Sequence, residues 1–317
     1  MEEKKMFYVS SNPHVRDNSS TRRIMLDVII ALIPATVFGI INAQSKWWYA
    51  LILVLATVAT CVLTEYIYVK CMKKETTITD LSCVVTGLLL ALNLPPTLPV
   101  WIAVIGGIFA ILVVKMLFGG LGQNFMNPAL AARCFLLISF AGKMTDFVYD
   151  GVSAATPLTN LKAGEAVDVL DMFLGTTGGT IGETCVIALL AGGIYLIIRK
   201  VIDFRIPLFY ILTVAVYAAI YSMATGGFSL EFIAAHLCGG GLMLGAFFMA
   251  TDYVTSPITH TGRIIFAVFI GALTMTFRLF GGSAEGVSYA IIIGNMLVPL
   301  IDKITIPKSF GKGAQAK

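Results

Sequence analysis

The stretch from Asp150 to Leu158 contains the side chains of this chain that are best placed for chemistry. It is a turn of small residues, with the hydroxyl groups of Ser153 and Thr156, between two long apolar blocks. Thr156 follows two alanines and precedes Pro157, which predicts a sterically open hydroxyl on a backbone that the proline ring partly fixes. The alternative is an ordinary turn rich in serine and threonine.

Arg133 is the second residue of interest, because its guanidinium lies near the middle of an apolar segment. Such a charge is costly in the membrane and usually faces the protein interior or an anion. Two interpretations are open: Arg133 contacts an anion, or it forms a salt bridge with Asp27 or Glu65. Lys115 and Arg278 lie near the ends of apolar segments, where we expect their long side chains to extend towards water.

The remaining reactive residue types do not form a recognisable site. The six cysteines include no Cys-x-x-Cys pair, so we expect neither an iron–sulfur cluster nor a structural zinc, and no metal ligands at all. The three histidines are dispersed, and neither a Ser-His-Asp set nor a phosphate-binding loop is found. We therefore predict no catalytic side chain, and the modest net charge of +4 gives no reason to expect nucleic acid as a partner.

The composition places these residues in a membrane protein. The chain of 317 residues is 57% apolar and only 13% charged, and its mean hydropathy is +0.87. A membrane-spanning helix needs roughly 20 mainly apolar residues. The sequence contains ten candidate stretches, of which several are short: 24–41, 47–69, 82–94, 100–118, 127–142, 184–198, 206–223, 231–250, 264–279 and 286–301.

The basic residues predict the orientation in the membrane. When ten spans are threaded with the N-terminus inside, most of the 22 lysines and arginines fall on the inner side, as the positive-inside rule requires. Both termini are then cytoplasmic, and the long polar loop with Thr156 lies on the outer face. The predicted organisation is a cytoplasmic segment, a first helical unit, the outer loop, a second helical unit and a cytoplasmic tail, over 1–22, 23–142, 143–183, 184–303 and 304–317.

The two halves resemble each other. Residues 86–92 align with 244–250, and Phe118-Gly119-Gly120 (118–120) aligns with Phe280-Gly281-Gly282 (280–282). Five spans per half is an odd number, so the second half would cross the membrane in the opposite sense. We therefore predict an all-α membrane protein with two inverted five-helix repeats, an arrangement that places a site near the midplane. Chance similarity between glycine-rich apolar segments is the alternative.

Proline-interrupted segments occur at matching places in the two halves. The third stretch ends at Pro95-Pro96 and the eighth is followed by Asp252 to Pro257. Helices that break inside a membrane leave backbone polar groups without partners, and such groups are tolerated where they line a cavity or a ligand. This pattern favours a buried binding site.

Four motifs, in order along nearly the whole chain, resemble a known family. They are the N-terminal segment 10–27, the segment 118–129, the turn 150–158 and the segment 249–257. The family contains the D subunit of the Rnf complex and the paralogous B subunit of the sodium-translocating NADH:quinone reductase. The latter usually carries a longer N-terminal extension, so we expect the Rnf branch.

The resemblance implies a subunit of a prokaryotic inner-membrane complex that moves electrons between ferredoxin and NAD and couples this to Na⁺ or H⁺ translocation. The implied partners are the other subunits of that complex, among them a second subunit with covalent flavin and small membrane subunits. The resemblance also implies two partners outside the complex, a separate flavin transferase and membrane lipid.

The resemblance also implies a site. In the family the threonine of a Ser-x-Ala-Thr motif carries FMN through a phosphoester bond, made by the transferase from FAD, and the matching residue is Thr156. Ala154 stands where the family often has glycine. Asp150 and Ser153 shape the turn, or are recognised by the transferase, and Arg133 is a candidate flavin contact. A non-covalent riboflavin among the spans is implied too, without a residue signature.

Two other functions fit part of the pattern. A solute channel or transporter can have the same inverted repeat and broken helices, but it has no use for the Thr156 turn. A structural scaffold for partner subunits fits the helices and predicts no bound chromophore.

Overall fold

The fold is almost entirely helical. A computed structural model describes residues 19–74, 77–149, 152–153, 156–165, 167–183, 185–225, 227–282 and 286–307. Before the loop that is predicted to lie outside, 143–183 (the outer loop), the helices are α1 (Thr21–Asn42), α2 (Trp47–Cys71), α3 (Ser82–Leu92), α4 (Val100–Ile108, continued by a π-helix over Phe109–Met116) and α5 (Pro128–Ser139). Short 3₁₀ turns cover Gln44–Lys46 and Ile78–Asp80.

The outer loop contains only short elements. These are α6 (Ala141–Met144), the strands β1 (Val148–Tyr149) and β2 (Val152–Ser153), α7 (Pro157–Lys162) and α8 (Val169–Leu174). The two strands pair antiparallel, with Val148 opposite Ser153.

The second set of helices follows the loop. It comprises α9 (Val186–Ile198), α10 (Arg205–Thr225), α11 (Leu230–Cys238), α12 (Leu242–Leu244, continued by a π-helix over Gly245–Met249), α13 (His260–Phe280) and α14 (Val287–Thr305). Side-chain caps fix several helix starts across the chain. Asn127, for example, accepts from the backbone amides of Ala129 and Leu130 ahead of Pro128, the first residue of α5.

Five of these helices, α1, α2, α10, α13 and α14, are long and apolar enough to cross a membrane. A sixth span results if α11 and α12, which meet at an angle of 58°, are counted as one broken helix. Four apolar helices, α3, α4, α5 and α9, are shorter than a full span. The chain is therefore a multi-pass helical membrane protein.

Close helix contacts depend on small residues. α1 packs along α9, and α10 packs along α13. A methyl group at Gly192 of α9 would overlap the carbonyl oxygen of Ala31 in α1. Because lipid is as apolar as the side chains, such close backbone approach is a main source of helix association in a membrane.

Candidate functional site

Thr156 stands directly before α7, in the N-cap position, with an extended backbone and with Pro157 as the first helical residue. Its carbonyl oxygen accepts from the amides of Thr159 and Asn160 at 2.8 and 3.1 Å. Its hydroxyl lies 2.9 Å from the hydroxyl of Thr159, and the residue is only 5% exposed. The prediction of a sterically open hydroxyl is therefore wrong, because the first turn of α7 and its neighbours enclose it.

The other predicted residues of the turn are Ser153 and Asp150. Ser153 belongs to β2, and its side chain lies outside the described part of the structure, as does all of Asp150. Their predicted roles in shaping or presenting the turn stay predictions.

A narrow cavity of about 10 Å³ lies beside Thr156. Three segments that are distant in sequence enclose it: the start of α7, the glycine-rich end of the outer loop, and the C-terminus of α11. Its walls include Thr156, Leu158, Gly179, Glu183 and Gly240. The fold thus places Thr156 beside the helix break after α11. No local sequence motif connects the two.

The outer loop also closes the break after α3. The amide of Ile181 donates to the carbonyl oxygen of Leu94 at 3.0 Å, and the amide of Gly182 donates to that of Leu92 at 2.7 Å. These bonds satisfy carbonyl groups that the end of α3 leaves inside the protein, as a non-helical backbone at membrane depth requires. The segment that lines the Thr156 cavity is therefore anchored to the first broken helix.

The second break, between α11 and α12, is held by Arg278. Gly240 and Gly241 have φ values of +67° and +63°, a conformation that glycine adopts without strain. Arg278 is 2% exposed, and its guanidinium donates to the carbonyl oxygens of His236, Gly239 and Gly240. The expectation that Arg278 extends to water is wrong, because the C-terminal carbonyls of α11 bind the cation inside the protein.

Arg133 approaches the same break from α5. Its Nη1 donates to Asn93 Oδ1 at 2.9 Å and to Ser288 Oγ at 3.0 Å. A Cβ atom at Gly241 would lie 3.9 Å from the same nitrogen. Arg133 therefore links the end of α3, the start of α14 and the glycine break.

The predicted alternative for Arg133, a salt bridge with Asp27 or Glu65, is not what the structure has. Asp27 accepts from Arg199 at 3.2 Å, and Glu65 accepts from Lys115 at 2.7 Å. Each of these carboxylates thus has a basic partner other than Arg133. Hydropathy alone does not reveal these pairings.

Lys115 is fully inside the protein, so the expectation that it extends to water is also wrong. Its Nζ donates to Glu65 Oε2 and, at 2.6 Å, to Ser82 Oγ. Glu65 also accepts from Thr77 at 2.6 Å. A buried ion pair tolerates the membrane interior when further hydrogen bonds satisfy both partners.

Asparagines at the centre of the bundle connect its two halves, and no sequence motif predicted them as a group. Asn127 Nδ2 donates to the carbonyl oxygen of Met249 at 3.3 Å. The side chain of Asn295, oriented so that its hydrogen bonds are satisfied, accepts from the amide of Asn127 at 3.2 Å. The sequence did contain a signal for Asn127 and Asn295, because asparagine is rare within strongly apolar segments.

A second cavity, of about 100 Å³, lies between α1, α3 and the π-helix after α12. Its wall is largely apolar, with Phe247 and Phe248 among its residues, and its polar residues include Thr86, Lys115 and Asp252. In the described residues, no group of three or more His, Cys, Asp or Glu side chains is arranged to hold a metal ion.

Basic side chains from α10 and α13 surround Asp203, which lies in the turn between α9 and α10. Asp203 accepts from Arg205 at 2.9 Å and from Arg263 at 2.5 Å. Partial burial raises the pKa of the Asp203 carboxyl, but the amide of Arg205 and the two guanidinium groups outweigh this and lower its pKa overall. Asp203 therefore stays charged and neutralises part of the basic cluster on the predicted inner face.

Comparison with known proteins decides the family. The family model described as "NQR2, RnfD, RnfE family" matches residues 8–311. This chain belongs to that family. The resemblance in the four motifs is thus confirmed over almost the full length.

Three relatives illustrate the similarity. The D subunit of the Na⁺-translocating ferredoxin:NAD⁺ oxidoreductase complex of Acetobacterium woodii is 48% identical, over 96% of this chain and 95% of the relative. The D subunit of the proton-translocating ferredoxin:NAD⁺ oxidoreductase complex of Clostridium ljungdahlii is 43% identical, over 97% of both chains. The D subunit of the ion-translocating oxidoreductase complex of Escherichia coli is 35% identical, over 96% of this chain and 99% of the relative.

Proposed function

We propose that this chain is the D subunit of an ion-translocating ferredoxin:NAD⁺ oxidoreductase complex, and that Thr156 carries FMN through a phosphoester bond. Family membership and the full-length relatives support the first part. The observation that carries the second part is the position of Thr156, which lines a small cavity between the outer loop and a helix break. A channel gives no reason for this arrangement.

The residues around Thr156 fit a tethered flavin phosphate. The lining of the small cavity beside Thr156 includes the glycines Gly178, Gly179 and Gly239 together with the carboxylate of Glu183. The hydroxyl of Thr159, 2.9 Å from the acceptor oxygen, is placed to donate a hydrogen bond to a phosphoryl oxygen. FMN would supply the redox chemistry, and the protein would supply position and electrostatics.

We propose that Arg133 contributes to these electrostatics. Its guanidinium lies behind the glycine break that borders the cavity, so its positive charge favours negative charge in that region. Arg133 is only 3% exposed. Water therefore screens the charge of its guanidinium less than it would screen a charge at the surface.

The test is the substitution Thr156→Ala in the complex, produced together with the flavin transferase. We expect covalent flavin fluorescence to disappear from the denatured polypeptide, with mass spectrometry showing an unmodified peptide. The matched control is Thr145→Ala, an exposed threonine of the same loop, which should keep the flavin. A bare Thr156 peptide in the wild-type complex would contradict the proposal.

We extend the proposal to a non-covalent riboflavin at the cavity of about 100 Å³, whose wall is mainly apolar and carries a few amide, hydroxyl and charged groups, among them Asn127, Thr86 and Lys115. Denaturing the Thr156→Ala complex should still release flavin that is not bound to protein. Its absence from a complex that has lost only the covalent flavin would contradict a second binding site in this chain.

We also propose that the chain has ten membrane segments in two inverted repeats, over 23–142 and 184–303, with the Thr156 loop on the outer face and both termini inside. Corresponding helices pack in corresponding ways: α2 on α4 and α10 on α13 within the halves. α1 packs on α9, and α5 packs on α14, between the halves. The proposed partners are the remaining subunits, including a second flavin-carrying subunit, together with the flavin transferase and lipid.

A further inference from the structure

The folded chain encloses the atom that must react with the flavin donor. Thr156 is 5% exposed, and its hydroxyl is engaged by Thr159 at 2.9 Å. For a phosphoester to form, Thr156 Oγ must reach the phosphorus of a flavin dinucleotide that is held in the active site of another protein. A second macromolecule cannot surround a side chain that is already enclosed on nearly all sides.

The enclosure depends on the docking of α7. Leu158, two residues after the acceptor, is 2% exposed, and it packs over the glycines that end α11. A Cβ atom at Gly240 would lie 2.8 Å from Leu158 Cδ2, and one at Gly239 would lie 3.7 Å from Leu158 Cδ1. Leu158 therefore occupies a slot that exists because these two residues lack side chains.

Two basic side chains hold the slot and the helix together. Arg278 fixes the floor of the slot by donating to the carbonyl oxygens of Gly239 and Gly240 at 2.7 and 3.2 Å. At the other end of α7, Lys162 Nζ donates to the carbonyl oxygen of Gly281, directly after α13. The helix is thus attached at both ends to the second half of the bundle.

We propose that docking of α7 through Leu158 controls the modification of Thr156: the transferase acts on a state in which α7 has left its slot. This inference rests on the proposed attachment of FMN at Thr156. In the transfer, Thr156 Oγ forms a bond to the flavin-side phosphorus of FAD. The phosphoanhydride bond breaks, AMP leaves, and the hydroxyl proton passes to a base of the transferase.

The test uses the complex produced in cells without the transferase and then mixed with purified transferase and FAD. Leu158→Ala removes the side chain that fills the slot, so the undocked state becomes more populated. We expect the initial rate of covalent flavin incorporation to rise by about tenfold or more. The matched control is Leu170→Ala, which truncates a leucine of the same loop that is 70% exposed, and it should leave the rate unchanged.

Equal rates for the wild type and Leu158→Ala would overturn the inference while leaving Thr156 as the acceptor. If no variant gained flavin, even when produced together with the transferase, the proposed attachment itself would be wrong.

A measurement on the wild type covers the case in which Leu158→Ala does not fold. The amides of Thr159 and Asn160 bond to the Thr156 carbonyl oxygen when α7 is formed. In the unmodified complex, we expect their hydrogen exchange to be at least about tenfold slower than in an unstructured peptide. Exchange at the unstructured rate would show that the acceptor is not enclosed and would overturn the inference.

Discussion

Three buried basic residues, Lys115, Arg133 and Arg278, are held in different ways inside the helical bundle. Lys115 pairs with a carboxylate, whereas Arg278 binds backbone carbonyls at a helix C-terminus. Arg133 donates to the neutral oxygens of Asn93 and Ser288. The cost of a mutation depends on the partner that is left behind, because an abandoned charge costs more than an abandoned neutral acceptor.

At the residue scale, Arg133→Leu and Lys115→Met should affect different quantities: the first should lower activity, and the second should lower the yield of assembled complex. Arg133→Leu should lower ferredoxin:NAD⁺ activity by about tenfold or more, since it removes a positive charge beside the proposed flavin, while most of the complex still assembles. Lys115→Met leaves Glu65, 0% exposed, without its cation, which costs about 3–5 kcal/mol, so the yield of assembled complex should fall.

Both quantities are measured on the same preparations, with activity expressed per assembled complex. Adding Glu65→Gln to Lys115→Met should recover part of the yield, because the buried negative charge is then gone. Full specific activity in an assembled Arg133→Leu complex would show that Arg133 has no electrostatic role.

At the scale of elements, the breaks in the helices do most to define the site. The end of α3 is satisfied by amides of the outer loop, and the end of α11 is satisfied by Arg278 from α13. Each break therefore depends on a segment that is far away in the sequence. The close contact between α1 and α9 sets the distance between the two halves that contain these breaks.

The contact between α1 and α9 leads to a prediction for Gly192→Ala. The added methyl group would overlap the backbone of Ala31, so the two helices must separate, with a cost of about 1–3 kcal/mol. We expect a lower thermal midpoint for the purified complex. Gly142→Ala is the control, since a methyl group there meets nothing within 4 Å, and equal midpoints for both variants would contradict the packing.

At the scale of the whole molecule, the Thr156 loop and the turn after α2 should lie on opposite sides of the membrane. In the proposed topology the loop faces outward, together with α8, while Cys71 at the end of α2 faces inward. Charge bias supports this orientation. Electrons that reach a flavin at Thr156 would then leave the cytoplasmic side of the membrane.

Labelling of intact cells tests the orientation. A membrane-impermeant maleimide should label Leu170→Cys, at an exposed position of α8, clearly above the wild-type background. The native Cys71, which is exposed, should react only after the cells are permeabilised. Labelling of Cys71 from outside, with Leu170→Cys protected, would reverse the topology and place Thr156 in the cytoplasm.

The sequence by itself determined the class of protein, the order of its apolar segments, the family, and Thr156 as the candidate acceptor. These properties are local: hydropathy over about 20 residues sets a span, and short motifs identify the family. The interrupted segments near Pro95 and after Asp252 were likewise visible, because proline and glycine act on the backbone where they stand.

Only the tertiary structure decided that Thr156 is enclosed, that Leu158 fits a slot made by Gly239 and Gly240, and that Arg133 donates to Asn93 and Ser288. The physical reason is that a composition or a motif does not state which distant groups meet. Asp27 and Glu65 could each have paired with Arg133, and packing gave them Arg199 and Lys115 instead. Thr156 is flanked by small residues in sequence, but its surroundings include the end of α11 at Cys238 to Gly240, about eighty residues away in the chain.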